Sequence, residues 1–301
     1  MSGAPAGGAE DPGARADGAV FRSGFVTLLG RPNVGKSTLL NRILGAKVSI
    51  TARWPNTTRQ HTRGVLNGPG YQAVFVDTPG IHKPRSALGE RLNATAAEAA
   101  SDVDVCVLVI DATAPVGPGD RFVAARLPDR SVVAVNKIDA AAPQVTLRQL
   151  ERAANELGLS AAEYFPVSAR TGSGVAALTA HLVGRLPAGP RYYPAGVVSD
   201  VPEAFFVAEL VREQLLKLVH DELPHSIACR VVAWEWPYVR CEILVERPSQ
   251  RAIVVGHRGE VLKAVGTAVR AALAPGCYLE LHVAVEPDWQ RRLDAIERLG
   301  Y

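Results

Sequence analysis

Eight residues near the start of the chain carry its strongest chemical signal. Gly30-Arg31-Pro32-Asn33-Val34-Gly35-Lys36-Ser37 has the spacing G-x-x-x-x-G-K-[S/T] and runs on into Thr38. It follows an apolar run, Phe25–Gly30, and opens a helical stretch, Lys36–Leu44, which is the context a phosphate-binding loop requires. Such a loop wraps an anion with backbone N–H groups, and glycine permits the close approach. The following helix adds free N–H groups and the positive end of its dipole. Lys36 can reach the β- and γ-phosphates as a point charge, and Ser37 can offer a hydroxyl to Mg²⁺. Gly30, Asn33, Val34, Gly35, Lys36, Ser37 and Thr38 are therefore the candidate phosphate contacts.

Three further stretches lie downstream at the ends of apolar runs. Asp77-Thr78-Pro79-Gly80 ends Tyr71–Val76. Its carboxylate can hold Mg²⁺ through water, and the Gly80 N–H can sense a γ-phosphate. Asn136-Lys137-Ile138-Asp139 follows Ser131–Val135. The Asp139 carboxylate matches guanine N1–H and the exocyclic amine, whereas adenine would leave it unpaired. Asn136 either binds the other base edge or ties loops together, and the stem of Lys137 can cover the base. Ser168-Ala169 closes the set, with a backbone N–H that can donate to guanine O6.

Elements that could position these residues are legible. Apolar runs at Phe25–Gly30, Tyr71–Asp77, Val103–Asp111, Ser131–Asn136 and Tyr164–Ser168 alternate with helical patterns at Lys36–Leu44, Ser86–Ala100, Thr146–Leu157 and Val175–Leu186. This alternation predicts an α/β domain with a doubly wound, mostly parallel sheet over residues 21–186, with ligands at the C-terminal strand ends. Residues 1–20 are rich in Gly, Ala and Pro and read as a disordered tail with no secretion signal. Residues 187–202, opening with three prolines in Pro187–Pro194, read as an extended linker. Residues 203–301 form the second, smaller domain. Its first helix, 203–219, carries an apolar stripe of Val207, Leu210, Val211, Leu215, Leu218 and Val219 and is expected to pack on its own sheet.

Composition sets the outer limits. The 301 residues are 48% hydrophobic and 21% charged, values of a globular chain with a real core. No apolar run reaches the ~18 residues of a membrane span. Cys106, Cys229, Cys241 and Cys277 form no C-x-x-C pair, which argues against a zinc site or a disulfide framework and for a reduced cytosol. Net charge is +3, but residues 201–301 hold 12 basic against 14 acidic groups. Nucleic-acid binding there must rest on a local site.

One such site stands out. Gly256-His257-Arg258-Gly259 precedes a helical pattern, and residues 247–270 hold Arg247, Arg251, Arg258, Lys263 and Arg270 against Glu260 alone. The stretch I-V-V-G-H-R-G-x-x-L-K-x-V-G resembles the clamp of a KH domain, in which a G-x-x-G loop admits a single-stranded backbone beside an apolar groove. That resemblance makes Gly256, His257, Arg258, Gly259 and Lys263 the candidate RNA contacts. Ala252–Val255 looks β-like by propensity, whereas a KH fold would make it the end of a short helix.

The first-domain motifs, in their order, resemble the translation-factor-like class of P-loop GTPases. Asn56-Thr57-Thr58-Arg59-Gln60 resembles its first switch, which implies a threonine on Mg²⁺, Thr58 rather than Thr57. Many GTPases place a water-orienting glutamine just after D-x-x-G. Ile81 stands there instead, as in the hydrophobic-substituted group. Asn33 resembles members of that group that recruit K⁺, and otherwise it caps the loop. Beyond about Val20 the whole chain is similar to the Era family of bacterial ribosome-assembly GTPases. The marks are G-R-P-N-V-G-K-S-T-L-L-N, N-T-T-R, D-T-P-G-I-H, N-K-I-D, V-R-E-Q-L-L, V-E-R-P-S-Q-R and the final L-x-x-L-G-Y. His257 stands where a lysine is common in that family. The resemblance implies a P-loop GTPase domain joined to a type II KH domain. It implies binding of GTP, GDP and Mg²⁺ and slow hydrolysis, with Lys36, Thr58 and Gly80 in the catalytic roles and Ser37, Thr58 and Asp77 around the metal. It implies a cytoplasmic monomer, peripheral contact with the membrane, and partners in the 3′ end of small-subunit ribosomal RNA and the 30S subunit. Two rival readings remain. An RNA-binding scaffold with a vestigial nucleotide site would have no need of Lys36, Ser37, Asp77 and Asp139. A transfer-RNA-modifying GTPase would need a catalytic cysteine tail or an extra fold.

Overall fold

The computed structural model describes residues 20–55, 57–81, 87–101, 103–220 and 223–301. The expected tail (apart from Val20), Asn56 of the switch and His82 of the D-T-P-G-I-H stretch lie outside them. The first sheet has six strands in the order β2-β3-β1-β4-β5-β6. They are β1 (Arg22–Leu29), β2 (Thr62–Gly68), β3 (Tyr71–Asp77), β4 (Val105–Asp111), β5 (Val132–Asn136) and β6 (Glu163–Pro166). All neighbours are parallel except β2 and β3. The central strands read as continuous apolar runs because both faces are covered. Side chains alternate between the faces: Val107 and Val109 of β4 join one cluster with α1 (Lys36–Leu44) and α5 (Val175–Gly184). Leu108 and Ile110 join the other, with α3 (Pro118–Ala124) and α4 (Pro143–Glu156). Helix α2 (Ala87–Ser101) completes this half.

β2 has no apolar run to betray it. It is a short antiparallel edge strand, and its Gly64 lets α1 approach, since a Cβ there would stand 2.2 Å from a Leu44 methyl. Residues 187–202 are extended but not loose. Gln72 is fully buried and accepts from the Tyr192 and Tyr193 N–H groups at 2.8 and 2.9 Å, while the Val65 N–H donates to Val198 O at 2.8 Å. The segment is strapped along the antiparallel edge of the sheet.

The second half has helices α6 (Glu203–Leu218) and α7 (Leu223–Ser226), strands β7 (Ala228–Glu235) and β8 (Tyr238–Val245), helices α8 (Pro248–Val255) and α9 (Glu260–Ala271), strand β9 (Tyr278–Val285) and a last helix α10 (Leu293–Arg298). β8 pairs antiparallel with β7 and parallel with β9. The order α-β-β-α-α-β around G-x-x-G is the α+β arrangement expected of a KH-type unit. Val207, Leu210, Val211 and Leu215 of α6 pack with Val239, Cys241 and Ile243 of β8 in one core. Leu218, placed on the apolar stripe from sequence, is instead 46% exposed. The charged face of α6 departs further from expectation. Glu209, Arg212 and Glu213 are all buried because the helix packs on both halves of the molecule.

Candidate functional site

The phosphate loop takes the conformation its glycines allow. Gly35, at φ 98°, caps α1, and a Cβ there would stand 2.4 Å from Asn136 Nδ2. Lys36 is buried, and its ammonium donates to the carbonyls of Gly30 and Arg31, both at 3.1 Å. Burial pulls its pKa down to about 8, and the nearby Asp77 carboxylate opposes the shift. An anion in the loop would supply the missing counter-charge.

Beneath the loop the polar side chains converge. Asp77 Oδ2 accepts from Ser37 Oγ at 2.6 Å, Ser49 Oγ at 2.7 Å and Thr58 Oγ1 at 3.4 Å. Ser37 Oγ and Thr58 Oγ1 lie 2.9 Å apart. The other carboxylate oxygen, Asp77 Oδ1, is buried with no hydrogen-bond partner among the described residues. Burial pushes the Asp77 pKa up, and its hydroxyl partners hold it down. A buried carboxylate with one unmatched oxygen beside two hydroxyls suits a hard divalent cation, so Ser37, Thr58 and Asp77 fit Mg²⁺. Ser49 escaped the sequence reading; no spacing rule singles out a serine 28 residues before the carboxylate it bonds. Thr57 differs from its neighbour, since its hydroxyl donates to Trp54 O at 2.7 Å, away from Asp77. Ile81 is buried in the apolar core, with its N–H on Gly30 O at 3.3 Å. Gly80 lies so close to the loop that a Cβ would stand 2.6 Å from Pro32 N.

The Asn136–Asp139 stretch sits at the end of β5 beside the loop. Of the two readings of Asn136, the tie between loops is the one observed. Its amide donates to Val34 O at 2.9 Å and its carbonyl accepts from Ala169 N at 2.9 Å. Ser168 N donates to Ser173 O at 2.8 Å. Both N–H groups of Ser168-Ala169 are thus engaged, and a base oxygen would share the Ala169 N–H with Asn136. Asp139 is held by the Ser168 hydroxyl and Arg170, which keep its carboxyl below the usual range. Lys137, at φ 70°, pairs with Asp111 at 2.6 Å, an orienting carboxylate not evident from sequence. Asn33, at φ 64°, donates its amide to Arg53 O at 2.8 Å and so links the loop to the switch segment. Thr38 lies in the first turn of α1 and Val34 is buried under the loop.

At the far site, Gly256, Arg258 and Gly259 all have positive φ (74°, 49° and 81°), which turns the chain sharply between α8 and α9. His257 and Arg258 are exposed at the tip, Lys263 is exposed on α9, and Ile253 is 56% exposed on α8. The β-like Ala252–Val255 run is helical. Pro248 occupies the first turn, and the Gln250 side-chain oxygen Oε1 accepts from the Glu246 and Arg247 N–H groups, a start signal strong enough to override strand propensity.

Comparisons with known proteins match this geometry. Residues 25–137 fit a family described as 50S ribosome-binding GTPase, and residues 222–290 fit the KH domain. GTPase Era of Mycobacterium bovis is 45% identical over 299 residues, covering 93% of this chain and 99% of the relative. The chain belongs to the Era family of GTPases. Another Era-family relative, from Nocardioides, is 42% identical across 93% of this chain and 96% of its own length. Among solved structures, an Era complex with MgGDPNP and nucleotides 1506–1542 of 16S ribosomal RNA superposes with a TM-score of 0.87 at 34% identity. It covers 93% of this chain and 99% of the other. A point variant of Aquifex aeolicus Era bound to GDP·AlF4⁻ gives the same TM-score at 33% identity and the same coverage. The Era-family fold therefore spans the described molecule, a P-loop GTPase domain followed by a C-terminal KH domain.

Proposed function

We propose that this chain is a GTP-hydrolysing switch that binds the 3′-end region of small-subunit ribosomal RNA and assists assembly of the 30S subunit. The observation that carries the reading is the convergence of Ser37, Thr58 and the half-unmatched Asp77 under an intact phosphate loop, in a chain that also presents a G-x-x-G turn. A vestigial nucleotide site would not keep that arrangement. The family description naming the 50S particle matches the first domain alone. The 16S fragment in the Era relative's complex favours the small subunit.

Gly30, Asn33, Val34, Gly35, Lys36, Ser37 and Thr38 wrap the nucleotide phosphates, with Lys36 on the β- and γ-oxygens. Ser37 and Thr58, with Asp77 through water, would hold Mg²⁺, which when bound would supply positive charge against that developing on the transferred phosphoryl group. The Gly80 N–H donates to the γ-phosphate. Asp139 reads guanine and the stem of Lys137 covers it. Asn136 fixes the loop carrying Ser168 and Ala169, whose shared N–H meets O6. Ile81 is buried and apolar and cannot orient water, so hydrolysis is slow. K⁺ beside Asn33 would add positive charge. Single-stranded RNA crosses Gly256–Gly259, with His257, Arg258 and Lys263 at its phosphates. The domains extend over 21–186 and 203–301, with 187–202 between them. The protein acts as a cytoplasmic monomer. Any membrane contact is peripheral. No described helix is long and apolar enough to cross a bilayer.

Phosphate release from GTP and ATP, with and without an RNA bearing the 16S 3′-end sequence, tests the proposal. GTP should turn over at about 10⁻⁴–10⁻² s⁻¹ unaided, as for unassisted GTPases. The RNA should raise that rate, and ATP should not react. Equal turnover of ATP, or no turnover of GTP under any condition, would contradict it.

A further inference from the structure

Thr58 does not reach Ser37 and Asp77 unaided. The residues on either side of it are held by the second domain. The Thr57 carbonyl accepts from Arg212 of α6, a fully buried guanidinium that pairs with Glu209 at 2.7 and 2.6 Å. Arg59 is only 3% exposed. Its fork donates to Ile227 O at 2.8 Å and His225 O at 3.1 Å. Its guanidinium carbon stands 5.3 Å from the Trp289 ring centre and 5.2 Å from that of Tyr301. The two rings themselves lie 6.1 Å apart, and they share a core with Leu88 and Leu92 of α2. Upstream, Thr51 N donates to Glu213 at 2.9 Å and Trp54 Nε1 to Leu216 O at 2.9 Å.

We propose that Arg59 is a positioning residue for Thr58, and that the Trp289–Tyr301 cage is the device by which the KH domain holds the first switch in its metal-competent arrangement. The inference rests on the nucleotide reading above. A guanidinium out of water needs its carbonyl partners and the aromatic faces together. When Arg59 leaves the cage it must move to solvent. A one-residue step then separates it from Thr58, so the threonine cannot keep its place while the arginine relocates. The cage and the metal site are filled or emptied as a unit. Arg59 was chemically silent in the sequence because its carbonyl partners lie 166 and 168 residues away.

Dissociation of fluorescent GDPNP and fluorescent GDP from the full chain in Mg²⁺ provides the test. Only the triphosphate state engages Thr58 on the metal, so the ratio of the two off-rates is the readout. Arg59→Gln should speed GDPNP release on the order of tenfold and leave GDP release within about twofold. Tyr301→Leu should act in the same direction. Tyr301→Phe, which keeps the aromatic face, should behave as the parent, and Arg59→Lys should recover part of the loss. The double variant Arg59→Gln/Tyr301→Leu should be no worse than the worse single one, because both break one device. Equal acceleration of both nucleotides would mean general loosening and would overturn the proposal, as would unchanged GDPNP release in both Arg59→Gln and Tyr301→Leu. A parent that binds neither nucleotide would sink the underlying nucleotide reading, whereas a parent that binds both beside indifferent variants would sink this inference alone.

Discussion

The phosphate cleft and the G-x-x-G turn, the two proposed phosphate sites, are built by opposite means. In the cleft Lys36 and Asp77 are buried, Ser37 and Thr58 are half-buried, and all four are already hydrogen-bonded within the protein. Lys36 rests on two carbonyls and three hydroxyls share one oxygen of Asp77. At the turn, His257, Arg258 and Lys263 are exposed, and the order resides in a backbone bent through three positive φ values. A buried site must be organised in advance, because a buried charge without a partner is expensive. An exposed clamp needs only a backbone that lets RNA come close, and its charges stay solvated until it does. The difference implies that single side chains should matter greatly in the cleft and modestly at the turn.

The sharpest way to break that contrast is Lys36→Ala. It should lower guanine-nucleotide affinity by about a hundredfold, the scale of a lost charge-assisted contact to phosphate, while RNA binding through the turn persists. Calorimetry with GDP and RNA would show whether the two losses separate. Next in size is Asp139→Asn. It should weaken GTP by about tenfold or more and favour xanthosine triphosphate, whose extra oxygen accepts from the new amide. Retention of GTP affinity within a factor of two would overturn the base assignment. Smallest is the ion effect at Asn33. Turnover in KCl should exceed that in NaCl by a few-fold at equal ionic strength. Equal rates would leave Asn33 as the link between loop and switch through Arg53.

Legibility in the sequence followed the range of the interactions. The phosphate loop, Asp77 and Asn136–Asp139 declare themselves because each sits at a strand end in a fixed local pattern. The parallel core strands carry continuous apolar runs, such as Val105–Ile110 and Val132–Val135, and are equally plain. β2 was not, since an edge strand of sequence Thr-Arg-Gly-Val-Leu-Asn-Gly gains its identity only by pairing with β3. Helix α8 was misleading in its last four residues, although Pro248 and Gln250 mark its start. The burial of Glu209, Arg212, Glu213 and Arg59 could not be read at all. A charged helix face normally faces water, and only docking of one domain on the other reverses that. For such buried ion pairs the stake is considerable, since removing one partner costs about 3–5 kcal/mol.

That one chain carries two separable phosphate sites, one for a nucleotide and one for single-stranded RNA, is the claim on which the rest depends. The most direct measurement is an anisotropy titration of a labelled 16S 3′-end RNA with the parent and with a variant carrying His257→Asp and Arg258→Asp together. Two carboxylates would then face the RNA backbone where the glycines bring it closest. The parent should bind with an affinity that falls with salt, less steeply than for a long basic stripe because few phosphates are neutralised. The variant should not bind, and its GTP turnover without RNA should stay within about twofold of the parent. RNA binding by the variant as tight as by the parent would contradict the claim.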